Sequence, residues 1–152
     1  MAENKTISVW LKDDQDRVVL QKRSETSNSF PFICQATWAG KVEPGEDTLE
    51  AVKRECSEEL GKEFCDGFDF RALKLFLKGD FKAKDSDWTS YNYFGRIGKE
   101  DLQSAKLHSE ALPNFVFLAA SDKYFPIKKG ENPENNIVLF NDQYEALKSL
   151  WK

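Results

Sequence analysis

Residues 40–62 read GKVEPGEDTLEAVKRECSEELGK, and their spacing carries most of what the chain says about itself. Glu55, Glu58 and Glu59 fall three and four apart. On a helix turning about 100° per residue they share an arc of roughly 100°. Like charges so placed destabilise a helix by a few tenths of a kcal/mol per pair, so a purely structural helix gains nothing from them. A divalent cation reverses that sign. The stretch predicts three carboxylates within reach of one ion, beside the Arg54-Glu55 pair and framed by Gly40, Gly45 and Gly61.

The helix itself is well marked. Asp47 and Glu50 have capping-box spacing, with Thr48 the alternative cap, and Gly61 is placed to supply a left-handed stop. Leu49, Val52, Cys56 and Leu60 form a narrow apolar stripe expected to lie away from the glutamates, so that one face packs on a sheet while another borders a cleft.

Working outward, ICQATWA (33–39) reads as a strand feeding Gly40, after a polar, proline-bearing loop, SETSNSFPF. ISVWLK (6–11) and VVLQKR (18–23) read as a hairpin around DDQDR. Downstream, 68–79 and 88–97 alternate like strands, with GDFKAKDSD as the turn between them. FVFLAA (115–120) is a last strong apolar run. Residues 137–151 read as a short extended segment followed by a terminal helix capped at Asn141 or Asp142. Strands surrounding two helices predict the α/β class.

The chain has 152 residues, 40% hydrophobic and 13% aromatic, enough for the core of one domain spanning 1–152. Its net charge of −4 argues against a duplex or polyanion binder working by broad charge neutralisation. A phosphate-bearing substrate needs a local counter-charge, and Arg23 at the end of LQKR is the candidate phosphate contact. No apolar stretch has signal-peptide length and no run reaches the ~18 apolar residues of a membrane span, so a cytoplasmic protein without membrane attachment is expected. Cys34, Cys56 and Cys65 fit neither a zinc knuckle nor a redox pair and read as free thiols. His108, the only histidine, reads as part of a polar loop. The many aromatics read as core.

In order and spacing the stretch resembles the Nudix box, G-x5-E-x7-R-E-U-x-E-E-x-G-U with U apolar. Gly40, Glu46, Arg54, Glu55, Glu58, Glu59 and Gly61 fill its glycine and polar positions, while Cys56 and Lys62 stand at the two U positions. Cys56 is a mild departure, since a free cysteine packs as a small hydrophobe; Lys62 removes an expected apolar contact after the helix. Without this register, a glutamate-rich face flanked by Lys53 and Arg54 reads as merely solvated.

The resemblance implies an α/β/α sandwich with a mixed β-sheet. It also implies hydrolysis of a P–O–P linkage in a nucleoside diphosphate linked to another moiety, nucleoside triphosphates included. Glu55, Glu58 and Glu59 are then the metal-holding glutamates, with the Gly40 carbonyl a further ligand. Arg54 orients a glutamate, and Glu46 supports the loop and helix geometry. Hard oxygen ligands suit Mg2+ and do not separate it from Mn2+. The general base is either a box glutamate or a later loop acid, Glu110 or Glu100. The implied partner is a small nucleotide or diphosphate.

Two alternatives accompany this reading. FPFICQATWAG (30–40), with GE and REC-EELG after it, is also similar to isopentenyl-diphosphate isomerases. That family places a reactive cysteine before the matching glycine and a histidine after it, where this chain has Ala39 and Lys41. The other alternative is a non-catalytic ligand- or RNA-binding module. Such modules typically lose box glutamates, and this chain retains them.

Overall fold

The computed structural model describes residues 4–27 and 29–151. Its backbone is a nine-stranded mixed sheet: β1 (Asn4–Lys12), β2 (Val18–Lys22), β3 (Cys34–Gln35), β4 (Trp38–Lys41), β5 (Lys74–Ala83), β6 (Ser86–Arg96), β7 (Val116–Leu118), β8 (Phe125–Pro126) and β9 (Val138–Leu139). Helices α1 (Thr48–Leu60), α2 (Lys62–Gly67), α3 (Lys99–Leu102) and α4 (Asn141–Leu150) accompany it. β1 runs through the middle, parallel to β6 on one side. On the other side it is antiparallel to β2 and to β4.

Alternation along β1 explains the layers. Ile7, Val9 and Leu11 pack with Val52, Cys56 and Leu60 of α1, while Trp10 packs with Ala146 and Leu147 of α4. A strand covered on both faces reads as a continuous apolar run, as Val9, Trp10 and Leu11 do. Each large side chain so buried contributes about 1.5–3 kcal/mol. The expected α/β/α arrangement is present.

The predicted hairpin is observed, with Leu11 opposite Val19 and Lys12 opposite Val18. The single strand expected over 33–39 is instead two. β1 pairs with β2 at Leu11–Lys12 but with β4 over Thr6–Val9, so its neighbours part midway. Thr37 plugs the fork: its Oγ1 accepts from Leu11 N (3.0 Å) and donates to Val19 O (2.6 Å).

The strand expected from residue 68 starts only at Lys74. Asp69 caps a single 3-10 turn, Phe70–Ala72, and Phe68 and Phe70 pack edge-on against Trp38. The long turn expected at 79–87 shrinks to Lys84–Asp85, both at positive φ (51° and 64°), as a two-residue hairpin turn with strand-matched twist demands. The run at 115–120 supplies the three-residue β7, antiparallel to β2.

α1 begins as read: the Asp47 carboxylate accepts from Glu50 N (2.8 Å) and Glu50 accepts from Asp47 N (3.2 Å). Three details differ. Gly61 takes a positive φ of 90° but with ψ 156°, an extended turn into α2 rather than a left-handed stop. Leu49 is half exposed and Ala51 takes its place in the buried stripe. α4 has Phe140 in the cap position with no side-chain cap bond, because Asn141 Oδ1 accepts from Lys128 N instead. Among the described residues no helix is long and apolar enough to cross a membrane.

Candidate metal and substrate site

The roll of α1 sets the site. Trp38 Nε1 donates to the mid-helix carbonyl of Val52 (2.9 Å), locking the helix against β4. Its glutamates then turn towards the end of that strand. Gly40 is required there: an added Cβ would overlap the Glu55 carboxyl group and stand 2.6 Å from Glu55 Cγ. The missing side chain is the space in which Glu55 lies.

Glu59, one turn on, lines a cleft as expected but is largely enclosed. Its Oε1 accepts from Gln21 Nε2 at 2.7 Å, with longer contacts of 3.4 Å from Gln35 Nε2 and Ala39 N. Burial and then the hydrogen-bonded Glu55 carboxyl push its pKa well above the usual carboxylate range. Glu59 therefore adjoins the apolar stripe instead of lying away from it. Glu58 is the exposed member of the three.

Arg54 ties the acids together. Its Nε and Nη2 reach the two oxygens of Glu46 (2.9 and 3.1 Å), and Nη1 reaches Glu55 (2.8 Å) and Glu58 (3.2 Å). Nη2 also donates to Lys41 O (2.8 Å). One guanidinium thus joins β4, the loop before α1 and α1 itself, a task that needs its planar fork of donors. Hydrogen bonding to Arg54 holds the Glu46 carboxyl below its ordinary value, and Glu46 in turn raises the guanidinium further.

A cleft of about 420 Å³ opens beside these acids, and Gly40, Glu58, Glu59, Arg23 and Glu110 all line it. Arg23 Nη1 donates to Ser29 O and Oγ (3.0 and 3.1 Å), its guanidinium lies 5.6 Å from the Phe140 ring centroid, and its buried Nε has no partner among the described residues. Glu110 is exposed on the cleft, its carbonyl accepting from Ser24 N. Glu100 lies on α3 and does not line the cleft.

Three contributors escaped the sequence reading. Asp142, at the start of α4, lines the cleft with its pKa raised by burial. His108, expected in a polar loop, is half-buried with Nε2 2.8 Å from Gln21 Oε1, and burial lowers its pKa. Gln21 is almost wholly buried. The one available signal was a carboxamide inside the apolar run VVLQ.

The donor set suits a hard divalent cation. It is all oxygen, and the enclosed Glu59 carboxyl is pushed towards its neutral form by burial and then by the neighbouring Glu55 carboxyl. A cation held between them would supply a counter-charge. Among the described residues no ready-made cluster of three acidic, histidine or cysteine ligands is formed; Glu58 is held towards Arg54 and would have to turn to join the other two.

Comparison with known proteins agrees with the box. A family model described as NUDIX domain matches residues 3–138. The chain is 39% identical over 53 residues to YfcD of Escherichia coli, an uncharacterized Nudix hydrolase, a match covering 35% of this chain and 29% of that protein. It is 43% identical over 54 residues to an isopentenyl-diphosphate Delta-isomerase of Mycolicibacterium vanbaalenii, covering 36% of this chain and 30% of that one. These alignments span under a third of the relatives' lengths. The structure of DR0079 from Deinococcus radiodurans superposes with a TM-score of 0.64 at 16% identity, over 95% of this chain and 82% of the other, a likeness of fold.

Proposed function

Because this chain belongs to the Nudix family, we propose that it is a divalent-metal-dependent hydrolase of a P–O–P linkage in a nucleoside diphosphate joined to another group, nucleoside triphosphates included. The observation carrying this reading is the Glu55 carboxyl seated against Gly40 and braced by Arg54, with the enclosed Glu59 carboxyl beside it.

In this reading Glu55, Glu58 and Glu59, with the Gly40 carbonyl, hold Mg2+ or Mn2+. An ion held there would supply charge neutralisation at the phosphate oxygens and make the attacking water more acidic. Arg54 keeps Glu55 and Glu46 in register. Arg23, on the cleft wall and with an Nε that has no partner among the described residues, contacts a phosphate oxygen. Glu110, exposed on the same cleft, takes the proton of the attacking water. Glu100, on α3 and outside the cleft lining, is given no such role in this reading. The isomerase alternative is disfavoured by Ala39 and Lys41, which stand where that family's resemblance calls for a cysteine and a histidine.

The test is phosphate or pyrophosphate release from a panel of nucleotides and nucleotide sugars with Mg2+, for the parent protein and Glu59→Gln. Turnover by the parent that disappears in the variant supports the reading. Absence of turnover by the parent on every compound, or full activity of Glu59→Gln, refutes it.

A further inference from the structure

Gln21 presents its carboxamide towards the fork where β2 and β4 part, 1% exposed and fully engaged. Nε2 donates to Thr37 O (3.1 Å) and to Glu59 Oε1 (2.7 Å), using both of its protons; Oε1 lies 2.8 Å from His108 Nε2. The orientation of the amide is forced. A backbone carbonyl only accepts, so the nitrogen faces Thr37 and the oxygen faces His108. His108 Nε2 must therefore carry a proton and donate it. The chain of hydrogen bonds runs from His108 through Gln21 to Glu59.

The backbone repeats the connection. His108 N donates to Glu59 O (3.1 Å) and Lys106 N to Leu60 O (2.9 Å), stitching the loop after α3 to the last turn of α1. The ring and the carboxylate it supports are therefore mounted on one frame. The longer approaches of Gln35 and Ala39 to the same Oε1 leave Gln21 as its closest donor.

We propose that Gln21 and His108 are positioning residues for the metal-holding Glu59: together they pin one carboxylate oxygen to the protein and leave the other for the cation. This rests on the metal reading of the site. Groups that orient a ligand from behind cost about 10–100-fold in metal affinity or activity when removed. Because His108 works through Gln21, the two effects must not add.

The test follows Mn2+ binding by electron paramagnetic resonance, with melting temperature and hydrolysis recorded in parallel. Gln21→Met keeps the volume and removes the donor, and it is expected to weaken Mn2+ binding about 10–100-fold. His108→Phe is expected to weaken it less, and His108→Gln, which can place an N–H near the position of Nε2, to restore it. In the Gln21→Met background, His108→Phe is expected to add nothing. Parent-like Mn2+ binding by Gln21→Met overturns the brace, as does an equal effect of His108→Phe in both backgrounds. If Gln21→Met does not melt cooperatively, the histidine pair decides: equal Mn2+ affinity for His108→Phe and His108→Gln overturns the proposal. A parent protein that binds no Mn2+ and hydrolyses nothing refutes the metal reading itself, a result distinct from loss of the brace alone.

Discussion

Gly40→Ala separates stability from function at this site. The residue lies in the extended strand β4 and takes no positive φ, so alanine meets no backbone strain there. The whole cost is steric and falls on Glu55, whose Cγ would stand 2.6 Å from the new Cβ and whose carboxyl would overlap it. The obstructed atoms belong to the far part of a flexible side chain, which can swing away by giving up its 2.8 Å bond to Arg54 Nη1. Arg54 keeps Glu46, Glu58 and Lys41 O as partners. Mild overpacking plus one partly solvated charge-assisted bond amounts to about 1–2 kcal/mol. At roughly 2–4 °C per kcal/mol for a chain of this size, melting falls by about 2–8 °C. Divalent affinity is expected to fall about 10–100-fold, because the displaced group is one of the carboxyls of the metal reading. Calorimetric titration with Mn2+ beside a thermal melt reads both quantities. A variant with parent-like affinity, or one that unfolds before any affinity change can be seen, refutes this account of the glycine.

Asp47→Ala removes the cap of α1 and is expected to cost about 1 kcal/mol, read as a lower urea midpoint with unchanged slope; no shift would show that the cap bond contributes nothing. The Glu46 carboxyl, held low by its hydrogen bonds to Arg54, contributes stability that is present above its ordinary value of 4.5 and lost as pH falls through the depressed folded value. Glu46→Gln should therefore flatten the acid side of a stability profile, and an identical acid limb in parent and variant counts against the pair. Burial pushes the Cys34 thiol up to about 11 and raises Cys56 as well, while Cys65 is partly exposed. A thiol reagent at pH 8 is expected to label Cys65 first and the other two only in denaturant; simultaneous labelling in the native protein contradicts that burial.

Local chemistry was legible in the sequence and long-range partnership was not. The capping box needs only Asp47 and Glu50, three positions apart, and it formed as read. The Gly40 to Gly61 register likewise placed Glu46, Arg54 and Glu55 in one network. Gln21 and His108 meet across the fold, and no periodicity within either segment announces it. The strand at 33–39 broke because its partner changed, which depends on where β1 and β2 part. The tight turn at Lys84–Asp85 was hidden because neither residue is the glycine or asparagine that positive φ usually selects.

The parallel pairing of β1 with β6 has a further consequence, for the order of folding. Its partners, from Asn4 with Trp88 to Lys12 with Arg96, lie about eighty positions apart along the chain. Until β6 arrives, one whole edge of β1 has unpaired peptide groups, the condition that invites a strand from another molecule. α1, by contrast, needs only its own cap to begin. The glutamate helix can thus start early, while the strand behind it waits for the long hairpin to close. Fragments ending before β6 should be the aggregation-prone ones, whatever the fate of the helix they carry.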